Sequence, residues 1–280
     1  MHQGRPMGAP GPAPSQSLLA ADALRARRFR TGRTVFALML REMATTYGRS
    51  PGGYLWAVLD PTLAVVVLSV LFSLAFPAPP LGDSFPLFYA TAYLPFMLFN
   101  DVANKMATSI NFSRPLLAYP AVTFLDTMLA RFALHALTHG MVSVIVYFGI
   151  TVIFGATAEF DFGAIGLGFA MGAALGFGIG ALNCYLMTAF PAWERAWQIA
   201  TRPLFLISGI FIPFESMPQI AQKILWWNPL LHIVGMTRTG FYEVYRGDYV
   251  SVVYVAVLAM LTMTFGLLLL FRHHRHLLEK

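Results

Sequence analysis

Six stretches of this 280-residue chain, each 17 to 26 residues long, are dominated by apolar side chains, and their length constrains the fold more than any other feature. A helix needs roughly 20 mainly apolar residues to cross a bilayer. The stretches are Trp56 to Phe76, Leu87 to Ile110, Ala133 to Phe154, Ile165 to Phe190, Trp197 to Pro213 and Val250 to Phe271. They predict an all-α integral membrane protein with six transmembrane helices. Pro95, Asn100, Asp101 and Asn104 interrupt the second stretch and Pro203 the fifth. Such breaks are tolerated only where backbone is buried in protein or lines a wet cavity.

Only 11% of the residues are charged, against about 25% in a soluble domain. That is too little to solvate a water-soluble body, and too little for intrinsic disorder. The single cysteine, Cys184, excludes an internal disulfide scaffold. The net charge of +6 suggests nucleic acid in a soluble protein, but here the anionic partner is the membrane surface. Fifteen of the 19 Lys and Arg residues lie before the first stretch, flank the turns after the second and the fourth, or lie in the tail. The opposite loops hold Lys223, Arg238 and Arg246 among six carboxylates. By the positive-inside rule both termini are cytoplasmic.

Residues 1–32 read as a disordered, basic arm and 33–280 as a single transmembrane domain. No apolar run precedes Arg25 to Arg30, so the arm is not a signal peptide. Thr34 to Tyr47 spaces Phe36, Leu40, Met43 and Tyr47 along one face, the pattern of an amphipathic helix in the membrane interface. Between the last two spans, Ile220 to Val234 is apolar but too short to cross and is broken at Asn228-Pro229. It reads as re-entrant half-helices with Trp226 and Trp227 at headgroup level; an ordinary surface helix is the alternative.

Chemical motifs are mostly absent. A Walker A loop needs Gly-Lys before Ser or Thr, and Lys105, Lys223 and Lys280 follow Asn, Gln and Glu. Energy from ATP must therefore come from a partner. Gly48-Arg49-Ser50-Pro51-Gly52 has the letters of a nucleophile elbow, but Pro51 lacks the N–H that would serve as oxyanion donor, so the segment reads as a turn. His135 and His139 stand one helical turn apart above Arg131. With no third ligand in sequence they read as packing or cavity lining, not a metal site, and Arg131 is expected to snorkel to the cytoplasmic face. Gly168, Gly172, Gly176 and Gly180 form a small-residue ridge for close helix approach, within the chain or between subunits. Asp60, one turn inside the first span, is either functional or satisfied at the membrane edge.

The run LMLREMATTYGRSPGGYLWAVLDP, Leu38 to Pro61, resembles the start of the membrane subunit of ATP-binding-cassette exporters of capsular polysaccharide and O-antigen. The resemblance rests on Arg41-Glu42, Tyr47-Gly48, Gly53-Tyr54-Leu55-Trp56 and Pro61, and again on Ile212-Pro213, Met217-Pro218 and Trp227-Asn228-Pro229-Leu230. It implies a permease without cofactors of its own, in the bacterial inner membrane. Its expected partners are a second copy of itself, two ATPase subunits carrying ATP and Mg2+, membrane lipids and a lipid-linked polysaccharide. Arg41, Glu42, Arg114 and Pro115, the last two in a turn from Asn111 to Pro120, are the expected ATPase contacts. Sugar rings stack on aromatic faces, so Tyr54, Trp56, Tyr89, Tyr93, Trp193 and Trp197, with Arg131, are candidates for the glycan path; interface anchoring is the plainer role for each aromatic. Export of a small lipid or drug, or an enzyme acting on lipid-linked sugars, are the rival functions. The isolated Asp60, Asp101 and Asp126 show no paired acidic motif for the second.

Overall fold

A computed structural model describes residues 30–47, 52–117, 122–155 and 160–279. Most of the expected arm, most of the elbow-like motif and Pro120 lie outside the described residues. The described residues are all helical, with no strand, and hold ten α-helices. In chain order these are α1 (Arg30–Tyr47), α2 (Tyr54–Ala75), α3 (Phe85–Ala107), α4 (Ser109–Leu117) and α5 (Phe124–Phe154). There follow α6 (Phe162–Ala189), α7 (Ala192–Ile207), α8 (Gln219–Leu225), α9 (Pro229–Thr239) and α10 (Val252–Glu279).

Among the described residues four helices are long and apolar enough to cross a membrane: α2, α5, α6 and the Val252–His273 part of α10. The second sequence stretch forms α3, whose 23 residues reach about 34 Å at 1.5 Å per residue. Length therefore suffices, but Asn100, Asp101, Asn104 and Lys105 make it more polar than the four. The fifth stretch forms only the 16-residue α7. Gly209, at φ 78°, turns the chain out of the helix there, a conformation that costs glycine nothing.

The polar helix is the central one. α3 buries 15 of its 23 residues against α2, α5, α6 and α9. α6 lies beside it and carries α10 on its other flank. The glycine ridge lets α6 approach α3 and α9 closely. A Cβ on Gly176 would lie 2.9 Å from the Phe99 carbonyl oxygen and one on Gly180 2.8 Å from that of Ala103, both on α3. Gly168 likewise meets the backbone of Thr237 on α9, at 3.0 Å. The ridge is thus used inside the chain, the first of its two expected uses.

Local signals set the helix starts. Thr123 and Asp126 form a reciprocal capping box, Thr123 Oγ1 accepting from the Asp126 N–H at 3.2 Å and Asp126 Oδ2 accepting from the Thr123 N–H at 3.0 Å. α5 therefore begins nine residues before Ala133, where its apolar run starts. Asp161 caps α6 by accepting from Gly163 and Ala164. By contrast α2 buries only Pro61, Val65 and Ser69, a single stripe, while Leu63, Val66, Val67 and Leu74 stay exposed. A helix apolar all round needs lipid or another chain on its remaining faces.

Candidate functional site

The amphipathic helix α1 is oriented unlike a soluble one. Phe36 and Leu40 are exposed, whereas Glu42 turns inward onto α5 and is 5% exposed. Its Oε1 accepts from Arg131 Nε at 2.7 Å, an ion pair joining residues 89 apart in sequence. Arg131 is equally buried, so it does not snorkel to the surface as its position on α5 suggested. Its Nη1 donates to Thr108 Oγ1 at 3.3 Å, and its guanidinium carbon stands 4.4 Å from the centre of the Phe112 ring. One arginine thereby ties α1, the α3–α4 junction and α4 to α5.

The histidine pair continues the network. His135 Nδ1 lies 2.8 Å and His139 Nε2 3.2 Å from the same Asp101 Oδ2 on α3, and His135 Nε2 faces Glu42 at 3.6 Å. A carboxylate absent from the neighbouring sequence thus completes the histidines as a hydrogen-bonded relay. Among the described residues no group of three or more metal-ligating side chains could hold an ion. Burial works to raise the Glu42 carboxyl, but the His135 and Arg131 side chains outweigh it and hold the group below the usual carboxylate range.

The remaining candidates divide by exposure. Arg41, Arg114 and Pro115 are exposed, the last two on the short helix α4 where a turn was expected. Glu42 is the internal member of that group. Among the aromatics, Tyr89 is 1% exposed, packed against Phe72 and Phe88 with ring centroids 5.2 Å away, and lines no surface of the isolated chain. Tyr54 and Tyr93 are half-buried and Trp56 is exposed. Trp193 Nε1 donates to Asn183 Oδ1 at 2.9 Å and Trp197 Nε1 to Asn104 Oδ1 at 3.0 Å, fastening α7 to α6 and α3. No sequence spacing links those partners.

A cavity of about 440 Å3 opens beside the relay, walled by α1, α2, α3 and α5. Trp56, Asp60, Lys105 and His139 face it. A second, of about 510 Å3, lies toward the other end of the bundle between Phe214, Glu215, Tyr245, Arg246 and Tyr249. Burial pushes the Tyr249 phenol up to about 12, and its hydroxyl donates a hydrogen bond to the Leu231 carbonyl at 3.1 Å.

The α8–α9 hairpin closes that end. Asn228 caps α9 by accepting from the Leu230 N–H and donates to the Ile207 carbonyl, both at 3.1 Å. His232 Nε2 meets the Trp226 carbonyl at 2.8 Å, and Trp226 packs its ring on Tyr254, 5.3 Å between centroids. Trp227 is exposed, and Pro229 occupies the first turn of α9. Arg238, counted by sequence among the outer-loop charges, is 1% exposed beneath the Phe88 ring and donates to the Ile210 carbonyl at 3.3 Å.

Comparisons with known proteins agree over most of the chain. The profile of a family described as ABC-2 type transporter matches residues 33–242. The chain is 31% identical to the polysialic acid transport protein KpsM of Escherichia coli over 240 residues, 84% of this chain and 92% of KpsM. It is 26% identical to the capsule polysaccharide export inner-membrane protein BexB of Haemophilus influenzae over 244 residues, 85% of this chain and 90% of BexB. Identity to the corresponding protein CtrC of Neisseria meningitidis serogroup A is 24% over 235 residues, 84% and 89% of the two chains.

Proposed function

The chain belongs to the ABC-2 type transporter family, and from that premise we propose that it is the permease subunit of an exporter driven by ATP. Its cargo is a lipid-linked polysaccharide, of capsule or O-antigen type, carried from the cytoplasm across the bacterial inner membrane. The observation that carries this reading is the likeness to KpsM along 92% of that protein's length. The three lysine contexts, none compatible with a Walker A loop, support leaving ATP and Mg2+ to a separate ATPase subunit.

In this reading the chain crosses the membrane six times, with both termini cytoplasmic. The four apolar helices supply four crossings, the central α3 a fifth, and α7 with the segment to Pro213 a sixth. α8 and α9 dip into the outer leaflet and return. The 11 residues of α9 span about 16 Å at 1.5 Å each, half of a hydrocarbon core of about 30 Å. The exposed apolar faces of α2 meet lipid and a second copy of the chain, so that two permeases pair with two ATPase subunits. Aromatic side chains, Trp56 and Tyr93 among them, offer stacking faces to sugars without a deep charged trap.

Force enters through α1 and α4, whose exposed Arg41 and Arg114 meet the ATPase. The Arg131 ion pair makes these helices move with α3 and α5, so the two ends of the ATPase cycle favour two arrangements of the bundle. The double variant Arg41→Glu/Arg114→Glu is expected to reduce ATPase recovery with the purified permease at least about tenfold, a change of about 1.4 kcal/mol. Arg246→Glu, at the other end of the bundle, should leave recovery intact. Equal recovery with the double variant would remove α1 and α4 as the docking elements. The function itself is tested in the source bacterium: without this chain, finished polymer should accumulate inside the cell and return to the surface on complementation. Undiminished surface polymer in its absence would overturn the assignment.

A further inference from the structure

His135 stands between carboxylates of two different helices. Its Nδ1 lies 2.8 Å from Asp101 Oδ2 on α3, its Nε2 lies 3.6 Å from Glu42 Oε1 on α1, and the side chain is 3% exposed. A neutral imidazole carries one N–H and one lone pair. With the proton on Nδ1, the lone pair of Nε2 is turned on Glu42; with the proton on Nε2, the lone pair of Nδ1 is turned on Asp101 at 2.8 Å. Only the doubly protonated ring offers an N–H to both. His139 has no such demand, since it reaches Asp101 through Nε2 alone.

The charge balance points the same way. Glu42 and Asp101 bring two negative charges against the one positive charge of Arg131. A charged His135 closes the set at zero. A neutral one leaves an excess negative charge among groups largely cut off from water, where an unpaired charge is costly. The other helices packed on α5 do not alter the count. α2 and α3 bring Asp60 and Lys105, of opposite sign, to the neighbouring cavity. α4 carries Arg114, which is exposed, and α6 brings Cys184 and Tyr185, both uncharged at neutral pH.

We propose that His135 is a positioning residue for energy coupling: as an imidazolium it holds α1 to α3, and loss of its proton loosens α1 while α3 stays bound. The proposal rests on the reading that α1 docks the ATPase, and deepens it by adding regulation. The two contacts are unequal. That to Asp101 has hydrogen-bond length, whereas 3.6 Å to Glu42 is longer than a hydrogen bond, and Nε2 is buried with no other partner among the described residues. A neutral ring therefore keeps its N–H on Asp101 and turns its lone pair on α1, leaving Glu42 to Arg131 alone. Protons have a route, because Asp101 and His139 line the cavity between α1, α2, α3 and α5. Coupling thus weakens as the cytoplasm turns alkaline, the opposite sense to the Glu42 carboxylate, whose contribution is lost on acidification.

The test uses the permease with its ATPase subunit in nanodiscs of phosphatidylethanolamine and phosphatidylglycerol. A nitroxide is attached at Ala44→Cys, exposed on α1; Cys184 is buried and contributes little background. Spectral line shape reports the ratio of mobile to held α1. That ratio should rise at least about fivefold between about pH 7 and about pH 9.5, within the tenfold per pH unit that one linked proton allows. His135→Gln, uncharged throughout, should show the loosened ratio at both ends, and His139→Gln should keep the alkaline rise. A flat profile without the histidine substitutions overturns the proposal whether or not the variants assemble, as does an undiminished alkaline rise in His135→Gln. ATPase recovery is measured on the same samples. A flat profile with the ATPase recovered refutes the latch and leaves the docking of α1 standing; a permease with His135 intact that recovers no ATPase refutes the docking reading and the proposal with it.

Discussion

Glu42→Ala is expected to destabilise the permease by about 3–5 kcal/mol, the cost of stranding one member of a buried ion pair. Arg131 would keep its contacts to Thr108 and the Phe112 ring, but neither is a counter-ion. With the guanidinium 5% exposed, water cannot take the place of the carboxylate. Melting of the detergent-purified protein measures the effect, and Arg41→Ala, one residue away and exposed, should change stability by less than about 0.5 kcal/mol. Replacing the pair together as Glu42→Leu/Arg131→Met should recover much of the loss, since two matched apolar groups need no compensation. Indistinguishable melting of Glu42→Ala and wild type would mean that the pair does not hold α1 to α5. The sign with pH follows from the same contacts. Burial opposes ionisation but His135 and Arg131 overcome it, so the folded carboxyl titrates below its unfolded value. The contribution is complete at neutral pH and is lost as pH falls through the folded value.

Gly266→Ala should be of comparable severity although it adds one methyl group. The new Cβ would fall on the backbone of α6, 2.6 Å from the Ala181 carbonyl carbon and 2.8 Å from Leu182 Cα, with Leu182 N closer still. No flexible side chain can yield there, so α10 must move away from α6. Gly178 makes the reciprocal approach, where an added Cβ would lie 2.5 Å from the Ala259 carbonyl oxygen, and the same separation would loosen that packing too. Overpacking costs typically about 1–3 kcal/mol where side chains adjust, and a backbone-to-backbone clash belongs at or above the top of that range. Gly140→Ala and Gly149→Ala on α5 are the matched controls, because an added Cβ meets nothing within 4 Å at either. There alanine should stabilise by up to about 1 kcal/mol through helix propensity. Equal melting temperatures for Gly266→Ala and Gly140→Ala would refute the close approach of α6 and α10.

The helices that could be read from sequence are those whose length and apolar content suffice without a partner. α2, α5, α6 and α10 are of this kind, and the four-residue glycine period on α6 announced a close neighbour. Which neighbour could not be read, because a glycine ridge accepts any backbone. The capping box at Thr123 and Asp126 was a legible start signal for α5, masked by the apolar run that begins later. With it, Arg131 would have stood a full two turns inside a helix and called for a counter-ion. That counter-ion, Glu42, lies 89 residues away, and no local spacing encodes such a pairing. Asp101 lies 38 residues from His139, again beyond any local spacing. α3 shows the opposite case: its polar residues weakened it as a membrane span on composition, yet they are the ones that bind His135, His139 and Trp197 from neighbouring helices. The α8–α9 hairpin was visible in outline from Asn228-Pro229, but not the aromatic packing of Trp226 on His232 and Tyr254.

As a member of the ABC-2 type transporter family, this chain is expected to move a lipid-linked polysaccharide with energy supplied by a separate ATPase. Inside-out membrane vesicles containing the permease and its ATPase subunit, loaded externally with radiolabelled lipid-linked polymer, test it most directly. Label should become protected from external glycosidase only when ATP is present, and the protection should vanish when the permease is omitted. Polymer that stays accessible in the presence of ATP, while the same vesicles accumulate a small amphiphile, would contradict the account and make this a permease for a different cargo.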